Sequence, residues 1–113
     1  MRKMFLLTAL AVIMAFGLGS LAVAAAPDKI EIKEIQKSRP SVLFDHKKHE
    51  GRAKDCKECH HADDPGKEQR CSACHGEKAD GKKLSLKDAF HKQCKDCHAA
   101  KSAPNKCNDC HKK

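Results

Sequence analysis

The sequence lacks tryptophan and tyrosine, and it contains only four phenylalanines and three methionines in 113 residues. All three methionines and half of the phenylalanines lie in the first two dozen residues. The rest of the chain offers nine large apolar side chains, namely Ile30, Ile32, Ile35, Val42, Leu43, Phe44, Leu84, Leu86 and Phe90. Burial of so few side chains cannot offset the conformational entropy lost on folding. This excludes an ordinary globular enzyme, and it indicates that disulfides, metals or a cofactor stabilise the fold.

The first two dozen residues have the layout of a secretory signal peptide. A basic start precedes an apolar stretch from Phe5 to Val23, and Ala22-Val23-Ala24 matches the cleavage signal. We therefore expect 1–24 to be removed, which leaves 25–113 as one exported domain without stable membrane insertion. An uncleaved membrane anchor is the alternative, although glycine and serine residues interrupt the apolar stretch.

The eight cysteines form four pairs, and each pair has two intervening residues and a histidine directly after it. The motifs are CKECH (56–60), CSACH (71–75), CKDCH (94–98) and CNDCH (107–111). C-x-x-C-H is the signature of c-type haem attachment, because sulfurs three positions apart can bond both vinyl groups on one porphyrin edge. The adjoining histidine then lies under the iron. The sequence predicts four haem c groups attached through Cys56, Cys59, Cys71, Cys74, Cys94, Cys97, Cys107 and Cys110, with His60, His75, His98 and His111 as iron ligands.

Two other classes of site use repeated cysteine pairs. Zinc binds three or four thiolates, but it does not need a histidine at the same offset in every copy. A disulfide framework is common in small exported chains, but bridges within C-x-x-C are strained and leave the histidines unexplained. A zinc-binding or disulfide-stapled interaction module therefore explains less of the pattern than haem does.

The histidine count predicts the second axial ligand of each iron. Outside the motifs there are four further histidines, His46, His49, His61 and His91, and after signal removal no methionine remains. Four irons and four spare histidines favour bis-histidine ligation, with a lysine amine, water or an empty position as the alternative at any one site. Such ligation lowers the reduction potential and closes the iron to substrates. We therefore predict electron transfer rather than catalysis.

Local patterns predict a mostly irregular chain with a few short elements. Apolar and charged residues alternate through Ile30 and Ile32, and an apolar run follows at 41–44, which predicts a short hairpin. His46 and His49 share one face of a helical turn. Ser85 is a predicted N-cap of a helix that runs towards Cys97. Loops are predicted at 62–70, 76–83 and 99–106.

These motifs resemble the class III cytochromes c, the tetrahaem cytochrome c3 and trihaem cytochrome c7 proteins. The resemblance covers FDHKKH before the first motif, the double histidine of CKECHH and His91 before the third motif. It implies a hairpin and short helices wrapped around a four-haem core, and it pairs His60 with His46, His75 with His61, His98 with His49, and His111 with His91. The trihaem branch lacks the second haem, whereas this chain has CSACH and His61.

The resemblance also implies a periplasmic, monomeric, low-potential carrier between hydrogenase or formate dehydrogenase and membrane cytochrome complexes or extracellular acceptors. The alternative is a terminal reductase of metal ions or sulfur species that acts through exposed haem edges. Loss of the signal peptide leaves 21 basic and 15 acidic side chains, a net charge of +6. Nucleic acid is not expected as a partner, because only two phenylalanines remain for base stacking. A lysine-rich region is expected to dock an acidic partner and comprises Lys92, Lys95, Lys101, Lys106, Lys112 and Lys113.

The charges of the haems predict a dependence on protons. Eight ionised propionates and four ferric cores would change the net charge of the mature chain from +6 to +2, and full reduction would change it further to −2. We therefore expect propionate pKa values to follow the redox state, and reduction potentials to fall as the pH rises near neutrality.

Overall fold

The computed structural model describes residues 26–113, and the predicted signal peptide lies outside the described residues. Two strands, β1 (Lys29–Ile32) and β2 (Val42–Asp45), form an antiparallel pair in which Ile30 lies opposite Phe44. The predicted hairpin is confirmed, although β1 is shorter than the alternating stretch. Alternation puts Ile30 and Ile32 on the more protected face of β1 and leaves the charged residues exposed.

A short helix, α1 (His46–Glu50), follows β2 directly. The Asp45 carboxylate accepts a hydrogen bond from the Lys48 backbone N–H and thereby caps the helix. The backbone N–H of Lys47 donates to the Asp28 carbonyl, which joins α1 to the hairpin. The predicted helical turn with His46 and His49 is therefore confirmed, and the hairpin fixes its position.

The longest element is α2 (Leu86–Ala100), which contains the third motif. Its predicted N-cap is confirmed, because Ser85 Oγ accepts a hydrogen bond from the Asp88 backbone N–H. The helix runs three residues past Cys97, since C-x-x-C-H spacing is compatible with helix and no proline intervenes before Pro104. The Leu86 N–H donates to the Gly76 carbonyl and ties the start of α2 to the segment after the second motif.

The other three motifs are themselves short helical turns. Cys56–Glu58 and Cys71–Ala73 are 3₁₀ turns, and α3 is Cys107–Cys110. Long irregular segments connect them, as the sequence predicts. Within 26–113, no helix is both long enough and apolar enough to cross a membrane.

Side-chain packing contributes little core to this fold. Leu86, with 2% of its surface exposed, is the one buried apolar residue in the described part of the chain. Leu43 and Leu84 are exposed. The described part of this small irregular fold therefore has almost no core of buried aliphatic side chains.

Candidate haem-binding sites

The four C-x-x-C-H motifs define four candidate sites, which we number 1 to 4 in chain order. In sites 1, 2 and 4 the backbone N–H of the histidine donates to the backbone carbonyl of the first cysteine, at 2.8, 2.9 and 2.8 Å. Site 3 lies inside α2. Residues at i, i+3 and i+4 share one face of such a turn. Both sulfurs and the imidazole of each motif therefore project to the same side.

Each motif histidine is anchored through Nδ1 to a backbone carbonyl. His60 donates to Gln69 at 3.0 Å and His75 to Leu84 at 2.9 Å, in both cases nine residues along the chain. His98 donates to Pro104 at 2.5 Å and His111 to Pro40 at 2.7 Å. A carbonyl only accepts, so Nδ1 carries the hydrogen and Nε2 keeps a lone pair for a metal.

Three of the four spare histidines face a motif histidine. The ring centres of His61 and His75 are 6.1 Å apart, those of His49 and His98 are 6.2 Å apart, and those of His91 and His111 are 6.4 Å apart. These are three of the four pairs that the resemblance implies. Sites 2, 3 and 4 therefore each hold two imidazoles at nearly the same separation.

This separation fits one metal ion between the two rings. An imidazole nitrogen binds a first-row metal at about 2.0–2.1 Å. The centre of a five-membered ring with bonds of about 1.35 Å lies about 1.1–1.2 Å behind each nitrogen. Two rings on opposite sides of one metal then have centres about 6.2–6.6 Å apart, close to the observed separations of 6.1–6.4 Å.

The fourth implied pair, His46 with His60, is not among the facing ring pairs of the described residues. The His46 ring lies 6.1 Å from the Phe44 ring, and its Nδ1 lies 3.4 Å from a Glu50 carboxylate oxygen. Site 1 therefore has its motif histidine in place, while the role of His46 stays a prediction.

Two of the spare histidines have surroundings that suit a metal ligand. His49 Nδ1 donates to the Asp45 carbonyl at 2.7 Å, and the Phe44 ring packs against its imidazole at 4.4 Å between centres. Burial, followed by the charge of Lys95, lowers the pKa of His91. A lowered pKa keeps this imidazole neutral, the form in which it offers a lone pair.

The thiols of different motifs lie close to one another. Burial, followed by the neighbouring thiols of Cys110, Cys59 and Cys71, raises the pKa of Cys94 to about 11. None of the eight cysteines, all of which lie within residues 26–113, takes part in a disulfide. Among residues 26–113, no three or more histidine, cysteine or acidic side chains converge in a ready metal cluster. The arrangement brings the four attachment points together around α2.

Two cavities open beside these sites. One of about 430 Å³ is lined by the cysteines and histidine of site 2 and also by Asp63 and Lys92. The other, of about 690 Å³, lies beside His111 and is lined by Arg39, Lys112 and Lys113. Lys92 lines the first cavity, whereas Lys112 and Lys113 line the second. Sequence reasoning missed both Arg39 and Asp63. Arg39 is far in the chain from the motif of His111, whereas Asp63 follows His60 by three residues and its contact with that histidine depends on how the loop folds back.

Comparison with known proteins identifies the family of this chain. Residues 20–113 match the profile of the class III cytochrome c family. A cytochrome c7 of Geobacter metallireducens is 38% identical over 92 residues, which cover 80% of this chain and 81% of that protein. A structure from the trihaem cytochrome family of Geobacter sulfurreducens is 31% identical, with a TM-score of 0.52, and the match covers 77% of this chain and all of that one.

The fold also occurs within a longer protein. The nine-haem cytochrome c of Desulfovibrio desulfuricans aligns with a TM-score of 0.65 at 24% identity, over 77% of this chain. This chain spans 39% of the nine-haem protein. The family match includes all four motifs, and class III cytochromes bind haem c and transfer electrons without being enzymes. This chain belongs to the class III cytochrome c family and is a multihaem electron-transfer protein.

Proposed function

We propose that the chain is a low-potential electron carrier with four bis-histidine haem c groups, one at each of sites 1 to 4. The observation that carries this proposal is the common separation of 6.1–6.4 Å between the ring centres of three histidine pairs. One of these pairs, His61 with His75, belongs to site 2. This is the site that the trihaem branch lacks, so the pair favours four haems over three.

The residues that would hold each haem follow from the motifs and the ring pairs. The two cysteines of each motif form the thioethers, and the motif histidine is the proximal ligand. The distal ligands are His61 at site 2, His49 at site 3 and His91 at site 4, and we assign His46 to site 1 because it is the remaining spare histidine. When bound, each haem supplies a one-electron couple with no open position on the iron.

The carbonyl anchors make the site suitable for fast electron transfer. Every proximal Nδ1 is tied to a backbone oxygen, so the proximal imidazoles keep their orientation when the charge of the site changes. The ligands come from a polypeptide with little side-chain core. We infer that the haems complete the core and that the chain without haem is unfolded.

The cell compartment and the partners belong to the same proposal. Class III cytochromes are periplasmic, and the basic, apolar and A-x-A pattern of 1–24 supports export followed by cleavage. The exposed lysines near sites 3 and 4 suit an acidic redox partner such as a hydrogenase, a formate dehydrogenase or a membrane cytochrome complex. Arg39, Lys112 and Lys113 border His111, and this basic cluster supports our choice of site 4 as the docking point. We expect the carrier to work as a monomer.

Proton-coupled reduction completes the proposed function. Each electron removes one positive charge from a haem core, so nearby propionates bind protons more tightly after reduction. A propionate whose pKa rises on reduction takes up a proton with the electron. The midpoint potentials therefore fall as the pH rises from 6 to 8.

Two measurements on the purified protein test this function. The first is a redox titration monitored by visible spectra at pH 6 and pH 8, and the second compares visible spectra under argon and under carbon monoxide. We expect low-spin spectra in both oxidation states, no change on addition of carbon monoxide to the reduced protein, and lower potentials at pH 8 than at pH 6. Carbon monoxide binding would contradict bis-histidine ligation at one or more sites. Steady-state turnover of metal ions or sulfur species would favour the terminal reductase instead. Identical titration curves at both pH values would contradict proton coupling.

A further inference from the structure

Asp63 places a shielded carboxylate between sites 1 and 2. Its side chain is only 15% exposed, and its Oδ2 lies 3.5 Å from His60 Nδ1. The same oxygen accepts a hydrogen bond from the Gln69 backbone N–H at 2.9 Å. The Gln69 carbonyl in turn accepts the hydrogen of His60 Nδ1 at 3.0 Å. Carboxylate, peptide and imidazole therefore form one closed group of contacts.

Site 1 differs from the other sites because carboxylates lie beside its histidines. Among the histidines of the described chain, carboxylate oxygens lie within 4 Å of His46 and His60, both assigned to site 1. Glu50, beside His46, is 52% exposed and therefore well screened by water, whereas Asp63 is not. Asp63 also lines the cavity of site 2, together with Cys71 and His75.

We propose that Asp63 is a positioning residue that lowers the reduction potential of the haem at site 1, and to a smaller extent that at site 2. This inference rests on the proposed function, because it requires haems at both sites. The ferric bis-histidine core carries one more positive charge than the ferrous core, so a nearby negative charge stabilises the ferric state. A carboxylate in contact with the proximal imidazole also strengthens its donation to iron.

The consequence is an uneven distribution of electrons over the four haems. A lower potential at site 1 shifts shared electrons towards the sites on α2 and at the carboxyl end of the chain. Because site 4 lies beside Arg39, Lys112 and Lys113, the bias moves electrons towards the surface proposed for docking. The polypeptide thereby gives a direction to electron flow, although all four motifs have the same spacing.

The substitution Asp63→Asn tests this inference, because an amide oxygen can still accept the Gln69 hydrogen bond while the charge is lost. Potentials of the individual haems are followed by NMR of the haem methyl groups at pH 8. We expect the reduced-to-oxidised ratio of site 1 to rise about tenfold at a fixed applied potential, which is 59 mV for a one-electron couple. We expect a smaller rise in this ratio at site 2 and the smallest change at sites 3 and 4.

Two variants serve as controls. Asp64→Asn removes the same charge from an exposed neighbour in the same loop, and we expect a change of less than twofold at site 1. Asp63→Glu keeps the charge, so the reduced-to-oxidised ratio of site 1 should stay within twofold of that in the unsubstituted protein. If Asp63→Asn binds fewer haems, then Asp63→Gln and Asp63→Glu are compared instead, since their side chains are equally long and differ in charge.

The outcomes separate this inference from the function on which it rests. An unchanged ratio at site 1, or an equal shift at all four sites, overturns the role of Asp63 and leaves the carrier function intact. Fewer than four haems in the unsubstituted protein, or loss of its low-spin spectrum, overturns the proposed function itself.

Discussion

The imidazole planes of His49 and His98 are nearly parallel, with 8° between them and 6.2 Å between the ring centres. The other two pairs are different: His61 and His75 are tilted by 48°, and His91 and His111 by 71°. His49 is held in this orientation by the Asp45 carbonyl and by the Phe44 ring. Three sites with the same ligands therefore differ in the mutual orientation of those ligands.

This difference predicts distinct electron paramagnetic resonance signals from the ferric protein. Two parallel axial imidazoles both overlap with the same one of the two iron d orbitals that have π symmetry. The energies of these two orbitals then differ strongly, which gives a rhombic signal. Imidazoles at 71° interact with both orbitals and give a more anisotropic signal. We expect His49→Met to remove the rhombic component of site 3 and to leave the anisotropic component of site 4. One uniform signal from all haems would contradict the ring orientations.

The variant His61→Met tests the ligand at site 2. A thioether donates less charge to iron than an imidazole, so His/Met ligation raises the reduction potential. We expect a single haem of the four to move to a higher potential in a redox titration, with a low-spin spectrum preserved. Lys67→Met, in the loop between the first two motifs, is the matched control and should leave all four potentials in place. An unchanged titration of His61→Met would show that His61 is not an iron ligand.

Gln93 connects α2 to the first motif. Its side-chain N–H donates to the Glu58 carbonyl at 2.6 Å, and the two residues are 35 positions apart in the chain. Because this half-buried bond joins two haem sites, we expect Gln93→Leu to lower the free energy of unfolding by about 1 kcal/mol. Denaturant unfolding of the haem-loaded protein measures the change.

The control for Gln93 is Gln36→Leu. Gln36 also donates to a carbonyl, that of Ile32, but at 3.4 Å and only four residues away. Gln36→Leu should therefore lower the free energy of unfolding by less than half as much as Gln93→Leu does. Equal losses in the free energy of unfolding would show that the bond between α2 and the first motif stabilises the fold no more than a local bond does.

Charge reversal at Lys112 and Lys113 tests the docking point beside site 4. Complementary charges mainly speed the encounter between partners and are screened by salt. We expect the double Lys→Glu variant to be reduced at least tenfold more slowly by an acidic hydrogenase at low ionic strength, and nearly normally at high salt. Lys29→Glu in β1 combined with Lys33→Glu directly after it changes the net charge equally and should have a smaller effect. A rate that is independent of salt would exclude electrostatic docking.

Local sequence predicted those parts of the molecule that depend on neighbours in the chain. The hairpin followed from alternation around Ile30, and the start of α2 followed from the capping side chain of Ser85. The motifs themselves were recognised from cysteine and histidine spacing. In each case the deciding contacts lie within a few residues, or within one pair of strands.

Features that depend on distant packing were not accessible in the same way. His111 is anchored by the Pro40 carbonyl, 71 residues away, and no local pattern links the two. The shielding of Asp63 depends on the loop that follows the first motif, which composition alone describes as polar and flexible. The distal pairs came from resemblance to a family, because the spacing allows several partners for each spare histidine.

The ratio of haem to polypeptide in the mature protein tests the central claim most directly. It is measured by haem absorbance and by the intact mass of protein matured in a periplasm with its haem-attachment machinery. We predict four covalently bound haems on a chain that begins at Ala25. Three haems would contradict the assignment of site 2 and leave the facing rings of His61 and His75 without a metal. No haem would contradict the cytochrome function altogether.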